Sequence, residues 1–225
     1  EAGTNVSLSE VTNSFGGTVA VSGATDVDLV GTGGITLGAV ATTGGLSVTA
    51  VTGNVGLSGV VSVASLSAVS TAGAITQSGG SVAVTTGTTN LTAATDITLS
   101  QSSNDFASTV NATGRDIDIE DANALTLGTV AATGSVAVLS TGNLALGGNV
   151  QGTLITAASS AGGLTAGTLT ATTGAIDLDA AGAVSLNGNV TSAAAVTVDS
   201  SAGAVSQTAG TTLTATGSVV VNAAA

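Results

Sequence analysis

The sequence predicts an all-β protein: a right-handed parallel β-helix (β-solenoid) with a coil of about 20 residues and about 11 coils. Three observations carry this reading. Apolar residues come in pairs at i, i+2, such as Ile117 and Ile119, Leu125 and Leu127, Val136 and Val138, and Leu144 and Leu146. That spacing is the period of a half-buried strand. The pairs then recur at nearly one interval, the coil length, from Ile97 to Ile117, from Ile117 to Val136 and from Leu125 to Leu144. Between the pairs lie Gly, Asn, Asp and Thr, which punctuate strands as turns.

Taken in order, residues 1–14 alternate weakly through Val6, Leu8 and Val11, as a coil entered partway. From Phe15 the register is regular: Val19 and Val21, Val27 and Leu29, Ile35 and Leu37, Leu46 and Val48, Val55 and Leu57. Ile35, Val55 and Ile75 follow one another at equal steps of one coil. The pattern continues through Ile176 and Leu178, Val184 and Leu186, Val196 and Val198, and Val219 to Val221. Neither end shows a capping segment, so the reading is one continuous solenoid over 1–225, part of a longer repetitive chain or covered at its ends by neighbours.

A longer repeat is superimposed, with copies beginning near 15 and 106. Phe15 matches Phe106, and Asp26-Val27-Asp28 falls on Asp116-Ile117-Asp118. Gly73-Ala74-Ile75-Thr76-Gln77 recurs as Gly203-Ala204-Val205-Ser206-Gln207. The distance from the Phe to that block is greater in the second copy, and the excess equals two coils. A stack can absorb whole coils without losing register. The two phenylalanines are expected at equivalent positions of the two copies.

A coil of ~20 residues has a perimeter of about 66 Å, room for three short strands and three turns. Each coil adds ~4.8 Å along the axis, so about 11 coils make a rod roughly 50 Å long. The right-handed form follows from the crossover preference of parallel strands. A left-handed form would carry a strict six-residue repeat, which is absent, and the unequal spacing of successive strands disfavours flat cross-β stacking. Gly and Asn are expected to supply the positive-φ positions of the corners. Alternation points Gln77 and Gln207 inward, where a Gln at a corner bonding backbone satisfies it.

Composition excludes more functions than it admits. There is no Pro, Cys, Met, Trp, Tyr or His, and Lys+Arg is 1, namely Arg115, against 13 Asp+Glu. The usual general bases, covalent nucleophiles and soft metal ligands are therefore missing. A formal net charge of -12 opposes nucleic acid and anionic lipid. No apolar run reaches the ~18–20 residues of a membrane helix, so no membrane insertion is expected.

The stretch Thr88 to Val130 resembles the repeats of filamentous-haemagglutinin-like exoproteins, the large secreted β-helical adhesins of bacterial two-partner secretion. The resemblance is carried by Asn104-Asp105-Phe106, by Asp121-Ala122-Asn123-Ala124-Leu125-Thr126-Leu127-Gly128 and by the Gly-Ala-Ile-Thr-Gln block at 73–77. It implies export, a secreted or cell-surface location, and a role as stalk or adhesive rod. It carries over no catalytic residue.

Two sets of side chains are candidate sites. Asp116, Asp118 and Glu120 alternate with inward Ile117 and Ile119, and coil spacing sets Asp96 beside Asp116 and Asp179 beside Asp199. Stacked carboxylates repel unless one is protonated or a cation bridges them, so weakly bound calcium is the functional reading and a solvated acidic face the plain one. No other cofactor is expected. Asn5, Asn90, Asn111 and Asn189 each begin an Asn-x-Ser/Thr sequon and are possible glycosylation sites. Thr-x-Thr steps at 170–172 and 214–216 are too scattered to form an ice-binding array.

Three functions remain. A structural or adhesive rod of a secreted adhesin, serving cell-surface adhesion or biofilm cohesion, fits every feature. A self-assembling extracellular filament fits as well and differs in what the coil ends meet: further repeats of the same chain, or identical subunits. A β-helical polysaccharide-active enzyme would need Lys, Arg or Tyr beside its carboxylates and an aromatic to stack on sugar, and Arg115 stands alone. No enzyme activity is expected. Partners are expected among host or matrix glycans or proteins.

Overall fold

The computed structural model describes residues 3–224. Among them there is no helix, and strands in short runs are joined into one continuous sheet. Every strand pairing is parallel, and each joins a strand to its counterpart one coil away, as in Val55↔Ile75 and Ile176↔Val196. This is the predicted β-solenoid, with three faces per coil. Face I runs through 35–37, 55–57, 75–77, 97–99 and on to 219–223. Face II follows each face I strand (61–63, 82–84, 144–146, 184–186), and face III completes the coil (46–50, 66–70, 89–93, 169–171).

Face I is unbroken. Ten successive pairings carry it from Thr18-Val19 to Val219–Ala223, which makes eleven segments. The step between coils is not constant: Ile117↔Val136 is among the shorter ones and Val196↔Val219 among the longer. The difference is taken up at corners, which is why the stack tolerates it. Some strands run round a corner through a register shift, as Leu144–Gly152 does between Leu146 and Asn149.

Alternation sets the core. Val55 and Leu57, Ile97 and Leu99, and Ile176 and Leu178 are fully buried, with half-buried residues between them. Inward side chains stack coil on coil, some on a residue of like size (Ile155 on Ile176) and some large on small (Ala157 on Leu178), so the interior is ladders of Val, Ile, Leu and Ala. Dispersion contacts then repeat at strand spacing along the rod.

The corners depart from expectation. Positive φ occurs only at Gly23, Gly80 and Gly210 among the described residues, and at no Asn. Most corner glycines are needed for close approach instead. Gly142, Gly162, Gly182 and Gly203 stack in successive coils, and a Cβ on Gly162 would come within 2.6 Å of the carbonyl carbon of Gly142, one on Gly203 within 2.9 Å of that of Gly182. Backbones at ~4.8 Å leave no room there for a methyl group.

Serine closes the same corners. Ser70, Ser140, Ser159 and Ser200 are buried, each at the end of a strand. Three of these hydroxyls donate to a glycine carbonyl one coil back: Ser70 to Gly53 at 2.8 Å, Ser159 to Gly142 at 2.7 Å and Ser200 to Gly182 at 2.8 Å. The Ser70 and Ser159 oxygens also accept from Gly73 and Gly162 N–H, both at 3.1 Å. A hydroxyl that both donates and accepts satisfies two backbone groups at once. The sequence signal is Ser-x-Ala-Gly, present at 70–73, 159–162 and 200–203.

The long repeat is real but does not return to the same face. Val27 pairs with Leu46 and belongs to face III, whereas Ile117 pairs with Ile97 and Val136 on face I. Likewise Ile75 lies on face I and Val205, paired with Val184, on face II. The copies are offset by whole coils plus one face. Phe15 and Phe106 are accordingly not equivalent. Phe106 is 1% exposed in strand Asp105–Phe106, while Phe15 is partly exposed and packs its ring over Gly31 at a corner.

Candidate functional site

The acidic candidates fall into two places. Asp96 and Asp116 are corner residues, each just before a face I strand, Ile97–Leu99 and Ile117–Asp121. This corrects the placement of Asp116 on the strand with Asp118 and Glu120. Neighbouring corners share one device: the side-chain oxygen of an Asn or Asp accepts the backbone N–H of the residue that leads into or opens the next coil's strand. Asp26 does so for Gly45 at 2.8 Å, Asn54 for Ala74 at 2.9 Å, Asp116 for Ser135 at 2.7 Å and Asn143 for Gly163 at 2.9 Å. The carboxylates and amides at these corners therefore serve the ladder, satisfying donors the turn leaves open.

Asp96 and Asp116 are indeed adjacent, and their bridging cation is Arg115. Its guanidinium donates to Asp96 through Nε at 2.8 Å and Nη2 at 2.6 Å, and lies 3.3 Å from Asp116 Oδ2. The hydrogen bonds and charge of Asp96 push the Arg115 pKa above its ordinary value. Asp116 is held below the ordinary carboxylate range, first by the N–H and hydroxyl of Ser135 and then by Arg115. Sequence reasoning missed this role for Arg115. Its signal is the spacing, because Arg115 follows Asp96 by one coil.

Asp118 and Glu120 point outward and are half-buried, in register with Ala137 and Leu139 of the next coil, so no second carboxylate faces them from that side. Burial lifts the Asp118 carboxyl above its usual range. Asp179 does pair with Asp199 in register. Burial first, then the charges of Asp177 and Asp199, raise its pKa. Asp199 also accepts a hydrogen bond from Asn222 Nδ2. Among the described residues no group of three or more His, Cys, Asp or Glu is placed to hold a metal ion. Two carboxylates fall short of the six to eight oxygens calcium takes, so water, Thr or carbonyl groups would have to complete any shell.

The four sequon asparagines lie at or near the surface. Asn5 accepts from Asp26 N–H at 3.2 Å, and Asn189 accepts from the N–H and hydroxyl of Thr212 at 3.0 and 3.2 Å. Asn111 donates its Nδ2 to Asn90 Oδ1 at 3.0 Å, and Asn90 donates to the Thr88 hydroxyl at 3.3 Å. All four thus take part in the same inter-coil or corner bonding as the other asparagines.

The polar cluster least visible in the sequence is buried. Gln77 points inward as alternation requires and reaches backbone, donating to the Gly80 carbonyl at 3.4 Å, but its closer partner is a side chain. Gln77 Nε2 donates to Asn104 Oδ1 at 2.8 Å, and Asn104 Nδ2 returns a bond to Gln77 Oε1 at 2.9 Å. Asn104 also accepts from Val82 N–H at 2.8 Å and donates to Leu99 C=O at 3.0 Å, so its whole amide is engaged. Gln207, by contrast, is exposed and bonds backbone, the carbonyl of Thr211 at 2.9 Å. Close by, the carboxylate of buried Asp121 accepts from Phe106 N–H at 2.7 Å and Asn123 N–H at 2.6 Å. These three residues surround the irregular stretch 100–108, where strand Asp105–Phe106 pairs with Val82–Val84 on one side alone.

Many of the corner amides, hydroxyls and carboxylates bond backbone groups of the adjacent coil, while Asp118 and Glu120 face outward. No curated protein and no solved structure matches this chain. Residues 58–113, about a quarter of the sequence, match the family described as repeats of unknown function (DUF5649).

Proposed function

We propose that the chain is a rod segment of a secreted bacterial adhesin, displayed at the cell surface and without enzymatic activity. The observation that carries this is the unbroken parallel ladder of face I through eleven segments. A solenoid of this kind sets a fixed distance between its two ends, which is what a stalk supplies. The resemblance of 88–130 to secreted β-helical adhesins agrees, and an acidic, cation-poor surface suits an extracellular rod that must not adhere to nucleic acid. In this reading, glycans or proteins of a host or matrix are the partners of the larger assembly, and calcium and sugars are accessory at most.

A filament is the second reading, favoured by one observation. Every coil pairs in parallel register with the next, as in Ile155↔Ile176 and Ile176↔Val196, so the unit that builds the rod is also one that identical subunits could extend.

Antibody labelling of intact producing cells tests location: surface label without permeabilisation is expected, and label confined to permeabilised cells overturns the proposal. Electron microscopy of the purified chain at increasing concentration separates the readings, with discrete rods expected for a stalk and lengthening fibres for a filament.

A further inference from the structure

Along the last inward rank of face I, Asp121, Ser140, Ser159, Ala180 and Ser200 lie in register. Four are small and uncharged. Asp121 is 1% exposed and is the buried ionisable side chain among the described residues. No cation neutralises it, because Arg115 is committed to Asp96 and Asp116. The groups around it offer none either. Strand Asp105–Phe106 presents Asp105, whose charge opposes ionisation, the next coil presents Ser140, and Asp118 and Glu120 on its own strand point outward.

Its position matters as much as its charge. On face II the ladder is interrupted beside strand Asp105–Phe106, which pairs toward Val82–Val84 alone. Toward the following coil, Phe106 N–H is held by the Asp121 carboxylate, and Ala122 N–H by the carbonyl of Asn104 at 2.7 Å. A side chain here replaces the backbone acceptor used elsewhere. Opening this contact hydrates the carboxylate, and the gain is far larger for the ionised form than for the acid.

We propose that the Asp121 junction is a proton-operated joint in the middle of the rod, closed when the carboxyl takes a proton from solvent and more readily opened when it loses one. Burial, which outweighs the two N–H donors, moves the carboxyl's pKa upward and so toward mildly acidic conditions. The proposal is independent of what the rod adheres to.

Amide exchange on the whole chain at pH 4 and pH 7, corrected for intrinsic rates, tests it. Phe106 and Asn123 amides should gain protection at pH 4 relative to 136–140, by on the order of tenfold for each pH unit by which the carboxyl is raised. Asp121→Ser, which places there the residue found at 140, 159 and 200, should abolish that pH dependence. A carbon-13 titration of Asp121 in the unaltered chain reads the same group directly and should lie above the ordinary Asp value. Titration at or below that value, or a pH dependence that survives Asp121→Ser, overturns the proposal.

Discussion

Gln77 and Asn104 close a two-bond amide ring in the interior of the rod, between successive coils. The ring is what lets the irregular stretch 100–108 join the stack. Without it, the amide of Gln77, the N–H of Val82 and the carbonyl of Leu99 lose a partner in a nearly dry interior. Asn104→Ala should therefore cost at least about 2 kcal/mol, the scale for stranded buried polar groups. Denaturant unfolding of the two proteins checks this, and a loss within error would mean water replaces the amide fully.

Phe106 and Phe15 should respond differently. Phe106→Ala empties a fully buried site and should cost roughly 3–5 kcal/mol. Phe15→Ala removes a ring already partly in solvent and should cost clearly less. Thermal melts of the two variants decide it, and equal losses would restore the equivalence that the long repeat implied.

Much of the fold was legible because strand alternation and stacking are both periodic. Ile176 and Leu178 point inward, and Asp179 pairs with Asp199, as the coil period requires. What was not legible depends on a neighbour in another coil. A Ser at a strand end reads as surface until the glycine carbonyl below it is known, and Arg115 reads as a stray charge until Asp96 is set beside it. The face change of the long repeat was hidden for another reason. The three faces accept the same strand-and-turn unit, so sequence similarity alone cannot say which face a copy occupies.

Arg115 supplies a second kind of test, because it makes the chain's one trypsin site. Its N–H donates to Thr95 at 2.7 Å, its carbonyl accepts from Gly134 at 2.8 Å, and its guanidinium is held by Asp96. Trypsin must draw that segment out of two ladders to cleave it. The folded rod should resist trypsin, and the denatured chain should give two fragments, 1–115 and 116–225. Rapid cleavage of the native protein would show the corner to be open.

Asp179 should leave a signature in the pH dependence of stability. Its folded pKa is raised, so the folded chain binds that proton more readily than the unfolded one. The contribution is therefore most favourable below the ordinary value of 3.8 and declines as pH rises from there through the folded value. Asp179→Asn should melt slightly above the parent at pH 7, by within about 1 kcal/mol given solvent screening, with the difference closing near pH 4. The parent should melt at the same temperature in millimolar calcium and in chelator, and a calcium-dependent rise lost in Asp179→Asn with Asp199→Asn would establish a metal site.

The central claim is that the chain is a rod built one coil at a time, and an outward rank on face I measures it directly. Thr36, Thr98, Thr156 and Thr197 lie on this rank, joined by successive registers through 56, 76, 118, 137 and 177. The chain has no Cys, so cysteines placed at two of these positions carry spin labels without background. Electron–electron distances from Thr36→Cys should then grow linearly, by ~4.8 Å per coil: about 14 Å to position 98, about 29 Å to 156 and about 38 Å to 197. Distances that fail to increase with coil number would contradict the stacked rod.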